Sequence, residues 1–546
     1  MTAPARLPSP LSTPMFRAFW IAGLMSNFGS WVHLVAAAWL MTTLTASAAP
    51  VALLITATSI PTFLLSLHAG ALADVVDRRT LIMLTQSAQA VLAAVLGMLT
   101  LARITTPPVL LVLTLLLGTA GVLATPVTQA VVAELVPAEQ LPAAVVLGST
   151  SFTLSQAVGP AFGGLLVATA GPGAAFLVNA GSFLAVVLVA QRWRHARPLA
   201  TMPPEHVLGA VRAGLRYVWH MPALWVVLIR AIAYGLCFAA LPALLAVLSR
   251  GRLGASAGQY GLLLGALGAG GLLGTLLLPR LRARIDHEHL VMAAMVVYAA
   301  MFAALAALTA TGPVFAVLAV AGLAGMTTMS TLNIAAQSVL PGWIRGRGLA
   351  IFQLAFAIAM AGGSAGWGVV ASALGPATAL LLAAGGLLVN VALAHWVRLS
   401  VVEGIDTAPL HRDEPHLDAR LDSDDGPVLI TIDYRVPEPD LPAFTEAMRG
   451  VRSIRRRDGA MRWALYGSHA DGELHREAFL VSSWSEYQRL GARTTVTESE
   501  ILARVEVLHT GPGKPDVRSF LGHHLRRPRS RALAGDRDKP SEDVHH

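Results

Sequence analysis

The sequence predicts a polytopic helical membrane protein of twelve spans that carries a small α+β domain near its C-terminal end. Three observations carry that prediction: sparse charge, a succession of long apolar runs, and an abrupt change of composition after Asp406. Of 546 residues, 55% are hydrophobic and 13% charged, with mean hydropathy +0.61; a soluble globular chain carries about 25% charge. The deficit is confined to the stretch before Asp406. Beyond it, Asp422, Asp424, Asp425 and Arg455-Arg456-Arg457 restore ordinary polarity.

A spanning helix needs about 20 mostly apolar residues. Runs of that kind fall at 16–41, 50–71, 81–102, 108–130, 142–168 and 173–190, then at 223–248, 259–279, 288–309, 313–335, 347–371 and 375–398. They read as helices, because isolated strands leave their backbone unsatisfied in lipid. The chain therefore divides into an N-terminal tail (1–15), a six-helix bundle (16–190), a connection (191–222), a second six-helix bundle (223–398), a linker (399–425), an α+β domain (426–525) and a charged tail (526–546) expected to be disordered. Residues 1–15 are rich in Pro and Ser, and the apolar run after them is too long for a signal peptide, so a retained first helix is expected.

The net charge of +8 suggests nucleic acid only until its placement is read. The basic residues sit in short gaps between apolar runs, where they orient helices in a bilayer. One set of loops holds Arg78, Arg79, Arg192, Arg194, Arg197, Arg212, Arg216, Arg280, Arg282, Arg284, Arg345, Arg347 and Arg398. The opposite set holds only Arg103, Arg250 and Arg252. The Arg-rich side is read as cytoplasmic, which puts both termini and the tail domain there. The lone cysteine, Cys237, excludes an intramolecular disulfide framework.

Within 191–222, Val207, Ala210, Val211, Gly214, Leu215 and Val218 share one helical face, the pattern of an interfacial amphipathic helix. A shift of 204 residues superposes Gly70 on Gly274, Leu72 on Leu276, Arg78 on Arg282, Pro137 on Pro341 and Gly159 on Gly363. Parallel repeats of six helices are the layout of the major facilitator superfamily.

Two motifs resemble that superfamily's signatures. Gly70-Ala71-Leu72-Ala73-Asp74-Val75-Val76-Asp77-Arg78-Arg79 is similar to its cytoplasmic loop after the second helix, with Asp77 where a second glycine usually stands and Val75 in place of an Arg. The resemblance implies a gate in which Asp74 and Arg78 latch the two halves in the outward-facing state, Arg79 completing the basic end. The second loop, Arg280–Arg284, has Leu278 opposite Asp74, so the latch is expected to be asymmetric. Gly159-Pro160-Ala161-Phe162-Gly163-Gly164 resembles the core of the exporter signature. Its glycines permit close helix contact, and Pro160 invites a kink. This motif is the reason to expect export.

Polar residues inside apolar spans are costly and mark function. Asn27, His33, Gln129, Gln156, Arg230, Asn333 and Gln337 are the substrate or coupling candidates, with Gln86, Gln89, Asn179, Gln353 and Asn390 also inside spans. No Asp or Glu lies in the middle of a predicted span, so His33 is the mid-membrane titratable candidate. Proton antiport is implied by the resemblance alone.

From Gly426 the pattern turns α+β: a strand over Val428–Val436, a helix over Leu441–Arg456, strands over Arg462–Ser468 and Arg476–Trp484, a helix through Ser485–Val505 and a closing strand near Val505–His509. That order suggests a ferredoxin-like module. Gly426-Pro427-Val428, Arg455 through Ala460, Trp463, Phe479 through Trp484, Glu486 and Arg489 resemble the tail of the transmembrane secretion effector family, as do Thr495, Val496, His509 and Gly511. With the membrane part, the likeness covers nearly all of residues 15–525. It implies export of small amphipathic molecules such as siderophores or macrolides, and self-association or regulation through the tail. The tail also resembles antibiotic-biosynthesis monooxygenase domains, so a carrier fused to an oxygenase is the rival expectation; Trp463, Trp484, His469, His475 and Tyr487 are present, but no spacing singles out a catalytic set. The expected partners are the lipid bilayer, a small-molecule substrate and, by resemblance, protons; no cofactor, metal or nucleic acid is expected.

Overall fold

The computed structural model describes residues 9–193, 218–341, 344–394, 396–399, 426–484, 486–487, 490 and 495–522. The chain forms two compact units, Met1–Thr407 and Ala408–His546, each treated by itself below.

The first unit is helical: α1 Pro14–Leu44, α2 Ala48–Val75, α3 Arg78–Leu101, α4 Pro107–Leu135, α5 Leu141–Arg192, α6 Pro222–Phe238, α7 Ala240–Gly251, α8 Ala257–Arg282, α9 His287–Ala307, α10 Thr311–Ser338, α11 Arg345–Leu374 and α12 Pro376–Leu393. Pro14, Pro107, Pro222 and Pro376 each occupy a first turn, where the missing N–H has no helical partner to lose. Asp77 and Asp286 cap α3 and α9, accepting from Thr80 N and His289 N, and Ser256 with Gln259 forms a capping box at α8.

Among the described residues, eleven helices are long and apolar enough to cross a membrane. The longest, α5, has 52 residues, about 78 Å at 1.5 Å per residue. That is more than twice the thickness of a bilayer core. It breaks at Gly171 (φ 81, ψ 167), with Pro172 starting the second arm. Gly375 (φ 87, ψ 153) followed by Pro376 makes the same turn between α11 and α12. The two turns lie 204 residues apart, so the repeat seen in sequence is also a repeat of backbone geometry. Only glycine takes that positive φ without strain. Among the described residues, counting α5 as two spans, and α6 with α7 as one, gives twelve candidate spans. The amphipathic helix expected within 191–222 falls largely on residues 194–217, outside the described residues.

The second unit runs β1 Val428–Arg435, α13 Leu441–Asp458, β2 Arg462–Gly467, β3 Leu474–Val481, α14 Val496–Val507 and β4 Asp516–Leu521. Its sheet has the order β2-β3-β1-β4 and is antiparallel throughout, with Val428 opposite Val481 and Leu521. Val428, Ile430, Phe444, Val451, Phe479 and Val481 form its core. Trp484 and Tyr487 pack into that core, 5.3 Å apart between ring centroids.

Two expectations for this unit are corrected. The closing strand is Asp516–Leu521, while Val505–Val507 ends α14. Leu502 and Val505 are buried at helical spacing, a pattern that a short window does not separate from a strand edge. The second helix also does not run unbroken from Ser485, because Thr495 and Glu498 form a capping box that starts a new helix at Val496.

Candidate functional site

The two halves of the membrane unit meet along two seams, α5 against α8 and α2 against α11. On the first, a Cβ placed on Gly164 would lie 2.6 Å from Gly261 Cα, and one on Gly261 would lie 2.5 Å from the Pro160 carbonyl. On the second, a Cβ on Gly368 already lies 2.5 Å from Ala52 Cβ. Gly164 and Gly368 are again 204 residues apart. Around the second seam, the Ser364 hydroxyl donates to the Ala52 carbonyl (2.6 Å), Thr56 donates to the Ala361 carbonyl (3.0 Å), and Ser372 Oγ accepts from Ala49 N (3.1 Å). Trp39 stacks on Tyr260 at 5.7 Å, with Arg250 over its ring. These contacts gather at the end of the bundle away from the Arg-rich loops, called here the far end.

The Gly159–Gly164 motif divides its work. Gly159 and Gly163 admit Trp31 and Val32 of α1, with Cβ distances of 2.7 and 3.0 Å, while Gly164 makes the inter-half approach. Gly363 repeats the first role against Leu236. The backbone stays helical through Pro160, and the break in α5 comes at Gly171. The turn at Gly171 separates two spans and is distinct from the kink expected at Pro160.

Two adjoining cavities open inside the N-terminal half. The larger, about 580 Å³, is lined by α1, α3, α4 and α5, from Phe16 and Leu135 near the Arg-rich end to Gly121 and Phe152. The smaller, about 340 Å³, continues toward the far end as far as His33, Leu54 and Thr114. Asn27, Ser30, Gln89, Gly121, Phe152 and Phe183 line both. Of the sequence candidates, Asn27, His33 and Gln129 reach these cavities. His33 is 8% exposed, its ring 4.8 Å from Phe176, and neither ring nitrogen has a hydrogen-bond partner among the described residues. Ser30, Thr114 and Ser151 were not singled out by sequence, because a hydroxyl in an apolar run more often bonds its own helix.

The other candidates lie elsewhere. Gln156 sits on the α5–α8 seam, where a Cβ on Gly268 would meet its carbonyl at 2.8 Å. Asn333 and Gln337 pair with each other, Nε2 to Oδ1 at 2.6 Å. Asn333 stands one repeat from Gln129.

Arg230 is 1% exposed and donates to Glu288 Oε1 (3.0 Å) and to the Val397 carbonyl (3.3 Å). Glu288 also accepts from Leu399 N (2.5 Å). Arg230 is thus a clamp between α6, the start of α9 and the chain leaving α12, not a group facing these cavities. Sequence reading passed over Glu288 because a first-turn acid resembles ordinary loop polarity. Removing one partner of a buried pair leaves an uncompensated charge, so Arg230→Leu should lower stability by about 3–5 kcal/mol. Thermal unfolding in detergent reads this, and an unchanged midpoint would sink the clamp.

In the Gly70–Arg79 motif, Gly70 and Asp74 lie in the last turns of α2. Arg78 forms an ion pair with Glu134 at the end of α4, while Arg79 donates to the carbonyls of Ala190 and Gln191 (3.1 and 2.6 Å). Both arginines fasten the loop to its own half here. Among the described residues, the ion pair of Arg78 lies within its own half.

Residues 6–528 match the family described as transmembrane secretion effector. Among curated proteins, the chain is 28% identical to the multidrug efflux pump Tap of Mycolicibacterium fortuitum over 212 residues, 37% of this chain and 52% of that one. It is 26% identical to the Staphyloferrin A transporter of Staphylococcus aureus over 176 residues, 32% and 44% of the two. The chain spans about half the length of the curated relatives it matches. Among solved structures, a bacterial homologue of the human lysosomal transporter Spinster superposes with TM-score 0.59 at 15% identity, covering 72% of this chain and 97% of that one. The nucleoside transporter NupG does so with TM-score 0.57 at 14% identity, covering 70% and 98%. These likenesses show the fold. The chain belongs to the transmembrane secretion effector family of the major facilitator superfamily.

Proposed function

We propose that the chain exports small amphipathic molecules by alternating access, from a bacterial cell (inner) membrane in which both termini face the cytoplasm. The observation that carries this reading is the pairing of a polar cavity in one half with seams drawn together at the far end. Such a bundle is closed toward the outside and receives substrate from the Arg-rich, cytoplasmic side. Rocking the halves so that Gly164 parts from Gly261 and Gly368 from Ala52 would open the far end. Proton antiport belongs to the same proposal, with His33 the titratable side chain at the cavity. The names of the efflux pump and the siderophore transporter among the relatives support an amphipathic substrate. The second unit, with its β-α-β-β-α-β order and antiparallel 4-1-3-2 sheet, is proposed to be a ferredoxin-like module that regulates the carrier or joins two copies of it.

The test is accumulation of labelled amphipathic compounds, a macrolide and a catecholate siderophore among them, in energised cells. The intact protein should lower accumulation, and Asp74→Asn should abolish that effect. Higher accumulation with the intact protein would reverse the direction and make it an importer. Indifference to an imposed pH gradient in vesicles would remove proton coupling.

A further inference from the structure

The two halves of the membrane unit share a backbone but not an interior. The 204-residue shift that superposes the turns at Gly171 and Gly375 also carries Gly121 to Gly325 and Ser30 to Tyr234. In the C-terminal half, Tyr234 is fully buried and its hydroxyl donates to the Gly325 carbonyl (3.2 Å). Phe238, Tyr298 and Phe302 pack around it, with centroid spacings of 5.3 Å for Tyr234–Phe238 and 4.9 Å for Tyr298–Phe302. In the N-terminal half, Ser30 and Gly121 at the equivalent positions line open space. This fold can therefore be packed dry at that place, and one of its two copies is.

The open copy is also polar where the filled copy is apolar. Under the same shift Gln86, Gln89 and Thr114 correspond to Leu290, Ala293 and Leu318, and Asn27 and His33 to Ala231 and Cys237. Several of these N-terminal groups are buried with nothing to bond among the described residues: both nitrogens of His33, Gln86 Oε1, Thr114 Oγ1 and Ser151 Oγ have no partner there. Their side chains are 8%, 8%, 4% and 3% exposed, and all line the two cavities. Unmade hydrogen bonds of buried groups lower stability, and the other half carries apolar residues at these equivalent positions, although its own Tyr298 hydroxyl and Asn390 amide are buried without a partner among the described residues. Their common property is that their residues border these two adjoining cavities, where a turn of each side chain would bring its polar atom to a ligand.

We infer that this interior cavity of the N-terminal half is a binding site for an uncharged, ring-bearing molecule rich in hydrogen-bonding groups. The described residues lining it include no Asp, Glu, Lys or Arg. A charged ligand would enter without a counter-charge, at high cost in a water-poor site. Amides and hydroxyls both donate and accept, so they suit a neutral partner carrying both kinds of group. Trp31, Phe152 and Phe183 supply the apolar walls for a ring. The two volumes fall in the range of drug-sized sites. The reading rests on the transporter proposal for its purpose and not for its test, because binding can be measured without transport.

The test uses the full chain in lipid nanodiscs and three labelled probes: chloramphenicol, a neutral aromatic diol amide; tetraphenylphosphonium, a cation; and 2,3-dihydroxybenzoate, an anion. Saturable binding is expected for chloramphenicol, at least tenfold tighter than for either charged probe. Ser30→Tyr, which copies the filling found in the other half, should weaken it at least tenfold with the thermal unfolding midpoint kept. Should that variant not fold, Gln89→Leu decides by the same tenfold criterion. Tighter or equal binding of a charged probe, no effect of the filling variant, or no saturable binding of any probe would each overturn the inference. Neutral binding without export in cells would sink the export reading and leave this site standing; export unaffected by Ser30→Tyr would do the reverse.

Discussion

Gly164→Leu is expected to reduce efflux at least tenfold, to the level of cells lacking the carrier, while the protein still inserts. A Cβ at Gly164 already falls 2.6 Å from Gly261 Cα and 2.7 Å from the Ala257 carbonyl. These are backbone atoms that cannot rotate away, so a leucine must push α5 and α8 apart. Inserting side-chain volume into packed contacts costs typically about 1–3 kcal/mol, and here that cost falls on the state closed at the far end. Alternating access needs both closed states to be populated, so a penalty of that size on one of them shifts the balance by one to two powers of ten. The trapped state should be readable as well as inactive. Ser372 lies on the second seam, α2 against α11, at the same far end, bonded to Ala49 N. In a Cys237→Ser background, a Ser372→Cys reporter should react faster with an impermeant maleimide when Gly164→Leu is added. Gly362→Leu is the control, since a Cβ there meets nothing within 4 Å although its neighbour Gly363 is tightly packed. Wild-type efflux by Gly164→Leu, or equal losses from both variants, would show that the seam is not the hinge.

The seam shows what a sequence discloses and what it does not. The helical membrane fold and the close helix approach at Gly159–Gly164 were legible, because lipid forces long apolar runs and glycines mark close approach. Nothing in the motif says that Gly159 and Gly163 serve α1 while Gly164 serves α8; the rotational phase of a helix against two neighbours is a tertiary quantity. Asn27, His33 and Gln129 stand out in sequence as costly polar groups, and they line two adjoining cavities. Arg230 looked equally costly, yet its Nη1 is paired with Glu288, an acid that reads as loop when only its position along the chain is known. Polarity in a span signals a constraint, and the partner decides whether that constraint is binding or architecture. In the second unit, Val505–Val507 shows the same limit on a smaller scale. Three residues fit a strand edge or a helix end, and the capping box at Thr495 decides between them.

The largest effect expected in the second unit comes from Glu477. Its side chain is wholly buried on β3, where Oε1 accepts from Arg455 Nε (3.2 Å) and Trp463 Nε1 (2.9 Å) and Oε2 accepts from the Tyr434 hydroxyl (3.2 Å). Arg455 also lies over the Phe479 ring at 4.6 Å. One carboxylate thus ties β1, α13, β2 and β3 together. Glu477→Ala leaves the Arg455 charge and two other donors without their acceptor, which should destabilise this unit by about 3–5 kcal/mol. In the full chain, trypsin should then cut readily at Arg455–Arg457, which α13 protects in the wild type. Hydrogen exchange over residues 428–521 should rise in parallel. The double variant Glu477→Leu with Arg455→Met should recover much of the protection, because an apolar pair has no stranded charge. Wild-type protection in Glu477→Ala would mean that the carboxylate is not the organising contact. The same variant also tests the role of the unit. If the tail opens while efflux and assembly are unchanged, regulation and self-association both fall away and the membrane bundle transports alone. If efflux falls with the tail, the small sheet is part of the transport cycle.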